Sequence, residues 1–320
     1  MSEQGSRLQH FPPSFFAMVM GLGGLSIAWI HAFYNFGITP LIGLGLLGFT
    51  TMVFVMILVP FLLKWKKYPQ EMKADFKHPI KVNFFPTVSI SLVILAIGWK
   101  NVLPDMSHAL FILGASLHIL FTLKIVSSWM HHEHYKIEHM NASWFIPAVG
   151  NILMPLVGVH FGYIEISWFF FSVGFMLWII LVAIVFNRIF FHDPLPAMLI
   201  PTFFILIAPP AVGFMSYLAL NGGEIDAFAR ILYFSALFLT LLLATQWKAF
   251  TKLQFTLSWW AYSFPTAAIT IATMVMLKHN PTPFYEGLSY ALLGFLSVLI
   301  VLLLSKTFIA IAHKRICQPH

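Results

Sequence analysis

Phe255-Thr256-Leu257-Ser258-Trp259-Trp260-Ala261-Tyr262-Ser263-Phe264-Pro265-Thr266, running on uncharged to Leu277, is the stretch on which the reading of this chain turns. At about 1.5 Å per helical residue it has the length that a bilayer's hydrocarbon core demands. Pro265, near its centre, removes a backbone donor and clashes with the carbonyl four residues back, so the segment is expected to bend there. Lipid does not tolerate the carbonyl freed by such a bend, whereas packed protein or a water-filled cavity does. The bend, with the bulky Phe264 beside it, is therefore the first candidate for a functional centre.

The rest of the chain has the same character. Of 320 residues, 59% are apolar, 17% aromatic and 9% charged, against about 25% charged in an ordinary soluble domain. The net charge of +7 lies in short clusters between apolar runs, with no basic helical face. That pattern speaks against a nucleic-acid binder and for loop edges beside anionic lipid. Cys317 is the single cysteine, which excludes a disulfide framework and a thiolate metal site. The first apolar run is too long, and too closely followed by a second, for a cleaved signal peptide, so the first span is expected to be retained.

The fold class expected is all-α, a polytopic membrane protein with one transport domain over 1–320. Its ten spans fall at about 13–33, 39–63, 84–99, 106–129, 143–160, 166–187, 196–220, 227–247, 255–277 and 287–311. With both termini on one side, that side holds Arg7, the six lysines between Lys64 and Lys81, Lys124, Lys136, Arg188, Lys248, Lys252, Lys306, Lys314 and Arg315. The other side holds Lys100, Arg230 and Lys278. The excess of positive charge places both termini in the cytoplasm.

Proline sorts the spans further. It occurs at or inside the ends of the odd spans, as Pro12, Pro13, Pro86, Pro147, Pro155, Pro196, Pro201, Pro209, Pro210 and Pro265, while the interiors of the even spans are read as free of it. Broken helices belong where their freed backbone groups meet protein or water, and straight helices can face lipid. Five hairpins are expected, each with a kinked inner member lining a central pore and a straight outer member.

Little along such a path ionises. No Asp or Glu occupies a span centre and Lys124 can snorkel to the cytoplasmic face, so a carboxylate proton relay and a carboxylate sodium site are both excluded. Half-helix N-termini at the breaks offer partial positive charge, which attracts an anion weakly enough to let it pass. His118 is the one imidazole near a span middle, read either as an interhelical hydrogen-bond donor or as a transport residue. Asn151, between two prolines, either satisfies carbonyls freed by Pro155 or lines the path. His131, His132, His134 and His139 form a polar loop read as solvated, with no metal assigned. The sequence calls for no cofactor, and no nucleophile elbow, P-loop or dinucleotide motif points to an enzyme.

Several stretches together resemble the tellurite-resistance/dicarboxylate transporter family, which includes bacterial TehA and the plant slow-type anion channels. They are Phe15 to Gly21 with Ala28-Trp29, His78-Pro79, Ile146-Pro147-Ala148-Val149 with Asn151, Ala208-Pro209, Asn221-Gly222-Gly223-Glu224 with Asp226, and Tyr262-Ser263-Phe264. The resemblance covers nearly the whole chain. It implies a homotrimer in which each subunit has its own pore lined by the five odd helices, with Phe264 as the gating aromatic. Family members pass chloride and nitrate, and others are assigned malate, sulfite or tellurite-related roles. The chain departs from the family in having Pro265 after the aromatic, Pro12-Pro13-Ser14-Phe15 at the opening of span 1 and His118 in place of Gln. No long N-terminal tail of the plant type is expected, since about ten residues precede span 1.

The function expected is an anion channel, or a transporter of channel-like build, in the inner membrane, passing small anions past a constriction at Phe264. Gly21 is expected to widen the bore, Asn151 to act as a polar anchor and Pro209 as a helix break, with Phe15, Pro86, Pro147, Pro265 and His118 also shaping the path. The rivals are a proton-linked exporter of C4-dicarboxylate, sulfite or tellurite that uses His118, and a membrane-embedded redox or lipid-modifying enzyme, including a haem protein ligated by His118 and His160.

Overall fold

The computed structural model describes residues 7–131 and 135–317. The helices are α1 (Phe16–Phe36), α2 (Leu41–Lys67), α3 (Pro69–Lys77), α4 (Thr87–Trp99), α5 (Pro104–His131), α6 (Phe145–Val149) and α7 (Pro155–Gly158). After these come α8 (Ile164–Phe191), α9 (Ala208–Leu220), α10 (Ala227–Thr245), α11 (Trp247–Thr251), α12 (Ser263–His279) and α13 (Pro283–Ala312). Among the described residues there is no strand, and nine helical segments are long and apolar enough to cross a membrane. The remaining expected span, 143–160, is a shorter chain of pieces from Ala142 to Gly158. It alternates 3-10 turns at Ala142–Trp144 and Gly150–Leu153 with α6 and α7.

The even spans are the unbroken α2, α5, α8, α10 and α13, whereas each odd span enters through a 3-10 segment before its α-helix begins. These segments are Pro13–Phe15 before α1, Lys81–Phe84 before α4, Ile200–Ile207 before α9 and Leu257–Tyr262 before α12. The prolines explain where the switch occurs. Pro86 is the N-cap of α4, Pro155 opens α7 and Pro209 lies at the start of α9. Pro265 is the third residue of α12. This corrects the expected kink: Pro265 does not bend the middle of a helix but lies in its first turn, where an N–H has no intrahelical partner to lose. The proline rule itself also needs correction, because Pro60 lies inside α2, an even span.

Burial sorts the spans where proline does not. Of the most apolar stretch of each, 61–83% is buried in spans 1, 3, 7 and 9, against 28–39% in the even spans. Neighbour relations close the buried set into a ring. α1 packs on α4 and α12, α12 on α9, α9 on α7 and the 3-10 turn at 150–153, and these on α4. Each inner member also packs against the outer helix that follows it.

Hydroxyl side chains add hydrogen bonds to carbonyls at the 3-10 segments, most of which already accept a backbone N–H. Thr87 Oγ1 donates to Phe84 O at 2.5 Å, Ser89 Oγ to Pro86 O at 2.8 Å, Thr202 Oγ1 to Leu199 O at 2.5 Å and Ser263 Oγ to Trp260 O at 2.6 Å. Each bond reaches back three residues, so it ties the hydroxyl into its own helical turn and leaves no free donor facing lipid.

Candidate functional site

A cavity of about 1050 Å³ opens on the side of the termini and runs into the ring. Its mouth is lined by Gln9, His10, Glu71, Asp75, Lys81, Lys306 and Arg315, and its depth by residues of all five odd spans. The deepest of these are Met20, Ile90, Leu153, Val212 and, on α12, Phe264 and Pro265; nothing later in α1, α4, α9 or α12 reaches it. The cavity therefore runs from a charged mouth to an apolar throat whose deepest lining includes Phe264. That side chain is half-buried, and a β-carbon placed on Gly24 of α1 would lie 3.6 Å from its ring.

The mouth is braced by a three-charge clamp. Asp75 of α3 accepts from Lys64 Nζ at 2.6 Å and from Lys81 Nζ at 2.8 Å, and Lys64 also donates to Phe11 O at 3.0 Å. Burial alone would push the Asp75 carboxyl up, but the bonds and charges of the two lysines outweigh it and hold the group below its ordinary range. The clamp joins the end of α2, the surface helix α3, the entry to span 3 and the segment before span 1. The first and last described stretches of the chain meet beside it, where Arg7 Nη2 donates to Ile316 O at 3.0 Å.

Of the residues singled out from sequence, Phe264, Pro265 and Pro209 line the cavity; Gly21, Phe15, Pro86, Pro147, Asn151 and His118 do not. Gly21 is a packing residue. A β-carbon there would fall 2.2 Å from Ser263 Oγ, so its missing side chain brings α1 against the start of α12 instead of widening a bore. Phe15 is buried and stacks on Phe11 at 4.6 Å between ring centres. Pro86 and Pro147 lie behind the lining residues Phe84, Thr87, Ile146 and Val149.

Asn151 and His118 belong to a buried polar cluster between α5 and spans 3 and 5. Asn151 Nδ2 donates to Ala148 O at 2.8 Å and to Thr122 Oγ1 at 3.0 Å, which serves carbonyls near Pro147 and not those freed by Pro155. Thr122 Oγ1 lies 2.7 Å from Pro147 O. The Ser89 hydroxyl proton is engaged by Pro86 O, so in the 2.9 Å contact with His118 the ring Nδ1–H is the donor. That leaves His118 Nε2 as an acceptor with no partner among the described residues. It sits behind Gly150, where a β-carbon would come within 2.6 Å of it, and Gly150 itself lines the cavity.

His160 is exposed and packs edge-on to Phe161, whereas His118 is fully buried against Ser89, so the two imidazoles have different surroundings. In the polar loop, His132 and His134 lie outside the described residues; His131 bonds Ser127 O and His139 accepts from the Lys136 amide. Sequence reasoning missed the clamp and the throat residues Met20, Ile90, Leu153 and Val212, which carry no signal that separates them from core. It also missed Gly24, although the cluster Gly21-Leu22-Gly23-Gly24 announces close helix contact.

Known proteins are similar in sequence to this chain along most of its length. The chain is 29% identical over 294 residues to an uncharacterised transporter of Methanocaldococcus jannaschii, covering 85% of each protein. It is 31% identical over 274 residues to the S-type anion channel SLAH3 of Arabidopsis thaliana, which covers 83% of this chain but 43% of the longer plant protein. With the tellurite resistance protein TehA homolog of Haemophilus influenzae it shares 24% identity over 279 residues, covering 86% of this chain and 82% of the relative. A family profile described as voltage-dependent anion channel spans residues 10–308. The charged mouth, the ring of broken helices and this match together assign the chain to the SLAC1 family of voltage-dependent anion channels.

Proposed function

We propose that this protein carries small inorganic anions, chloride and nitrate among them, across the inner membrane by a channel-like route through the ring of odd spans, with Phe264 as the constriction. The observation that carries the reading is the grading of the cavity. Lys81, Lys306 and Arg315 line the mouth against Glu71 and Asp75, and the buried Lys64 behind them balances Asp75, while the throat beyond has no ionisable lining residue among the described residues. Such a mouth draws anions in, and such a throat passes those of modest desolvation cost without holding them. Pro209, Pro210 and Pro265, in the first turns of α9 and α12 at the throat, present no N–H groups that would bind an anion firmly.

The relatives named as anion channels support the class of solute, and the excess of basic residues beside the mouth supports cytoplasmic termini. We take each subunit of a homotrimer to hold its own path. Anion efflux from liposomes containing the native protein and Phe264→Ala tests the constriction: the truncated side chain is expected to raise flux severalfold while the protein stays folded. Unchanged flux in a folded Phe264→Ala protein overturns the assignment.

A second reading, proton-linked export of a dicarboxylate, sulfite or tellurite, is favoured by one observation only. His118 Nε2 is a buried, unpartnered acceptor one wall away from the cavity.

A further inference from the structure

The outer face of α13 carries a groove that meets the cavity mouth only at Lys306 and Ile309. A shallow groove of about 500 Å³ runs along its lipid side from Ser297 to Ile309, floored by Val298, Val301 and Leu302. Both serine hydroxyls on the groove are already committed, Ser297 Oγ to Leu293 O and Ser305 Oγ to Val301 O, each at 2.8 Å. What the groove offers a visitor is apolar surface and one cation, Lys306. That side chain is exposed and has no carboxylate in ion-pair range among the described residues.

Position selects the visitor. Residues 297–309 cover roughly 18 Å of helix, close to the ~15 Å depth of one hydrocarbon leaflet. Lys306 lies about 9 Å short of the helix end at Ala312, within reach of the cytoplasmic headgroup layer. Lys306 and Ile309 also line the large cavity, so the two spaces share a border at this lysine. An occupant must be apolar along one leaflet and anionic at its cytoplasmic end. We propose that this groove is a binding site for an anionic phospholipid of the cytoplasmic leaflet, with its headgroup on Lys306 at the lateral edge of the cavity mouth.

The proposal does not rest on the transport reading, and its test needs no flux measurement. The purified protein is exchanged into phosphatidylcholine and then titrated with phosphatidylglycerol, and bound lipid is counted by native mass spectrometry. The native protein is expected to prefer phosphatidylglycerol, and Lys306→Gln to reduce that preference about fivefold, the factor one basic side chain beside an anionic headgroup supplies. Val301→Trp, which fills the groove, is expected to lower retention of both lipids, while Leu241→Trp on the exposed face of α10 leaves both unchanged. Equal binding of the two lipids by the native protein, or an intact preference in Lys306→Gln, overturns the proposal. So does a Val301→Trp protein that changes its oligomeric state while retaining lipid, since a second copy of the chain then covers this face.

Discussion

Replacing Asp75 by Asn removes the one negative charge that two lysines share at the cavity mouth. The cost falls on Lys64, whose side chain is 2% exposed, and not on Lys81, which is 46% exposed and can turn to water. Opposite unit charges 2.6 Å apart attract by roughly 6 kcal/mol at an effective dielectric of about 20, a gross figure that desolvation largely offsets. Removing one partner of a buried pair nevertheless costs ~3–5 kcal/mol, because the other charge stays buried and uncompensated. Lys64 keeps its bond to Phe11 O and gains an amide oxygen, which places Asp75→Asn near the lower end, at about 3 kcal/mol. At ~2–4 °C per kcal/mol, the melting temperature in detergent falls by roughly 6–12 °C.

The double replacement Lys64→Met with Asp75→Leu is expected to lose less than the sum of the two single changes, since it leaves no buried charge. The acid dependence supplies a second check. Asp75 is held below its ordinary value near 3.8, so its contribution is complete above that value and is lost as pH falls through the lower folded value. The melting temperature of the native protein should therefore drop more steeply below about pH 4 than that of Asp75→Asn. An Asp75→Asn protein that melts within about one degree of the native protein refutes the clamp as a source of stability.

Two further outcomes bear on the throat. Gly24→Ala puts a methyl group 2.6 Å from the Ala267 β-carbon, an overlap, and 3.6 Å from the Phe264 ring, an ordinary contact, so it should push α12 away from α1 and change anion flux; unchanged flux in a folded Gly24→Ala protein counts against the α1–α12 contact shaping the throat. His118→Ala should leave the pH dependence of flux unaltered if transport is channel-like, and abolish a proton-driven component if export is coupled to His118; flux assays at a series of pH values in liposomes without and with an imposed proton gradient decide between them.

Much of the architecture follows from local sequence because it rests on lengths and absences. A chain with 9% charged residues cannot clothe a soluble surface. Uncharged runs bounded by lysines have to span, and prolines have to fall where an N–H is dispensable. These constraints mark out apolar segments long enough to cross a membrane, pick out the broken ones and bring Phe264 forward. They do not say what a proline does. Pro265 and Pro209 begin helices, while Pro60 sits inside one, and only the packed structure separates these cases.

The assignment of residues to cavity or wall was likewise left to tertiary structure. Gly21 and Asn151 read as path residues by type, yet one is pressed against Ser263 and the other is spent on Ala148 and Thr122. The lining of the throat is Met, Ile, Leu and Val, chemically the same as the core around it. The clamp at the mouth unites residues 11, 64, 75 and 81 through folding of a surface helix. Span positions are set by transfer of each segment from water to lipid, which depends on composition alone. Which side chain faces the axis depends on the rotation of each helix against its neighbours, and that is fixed by contacts between residues far apart in the chain.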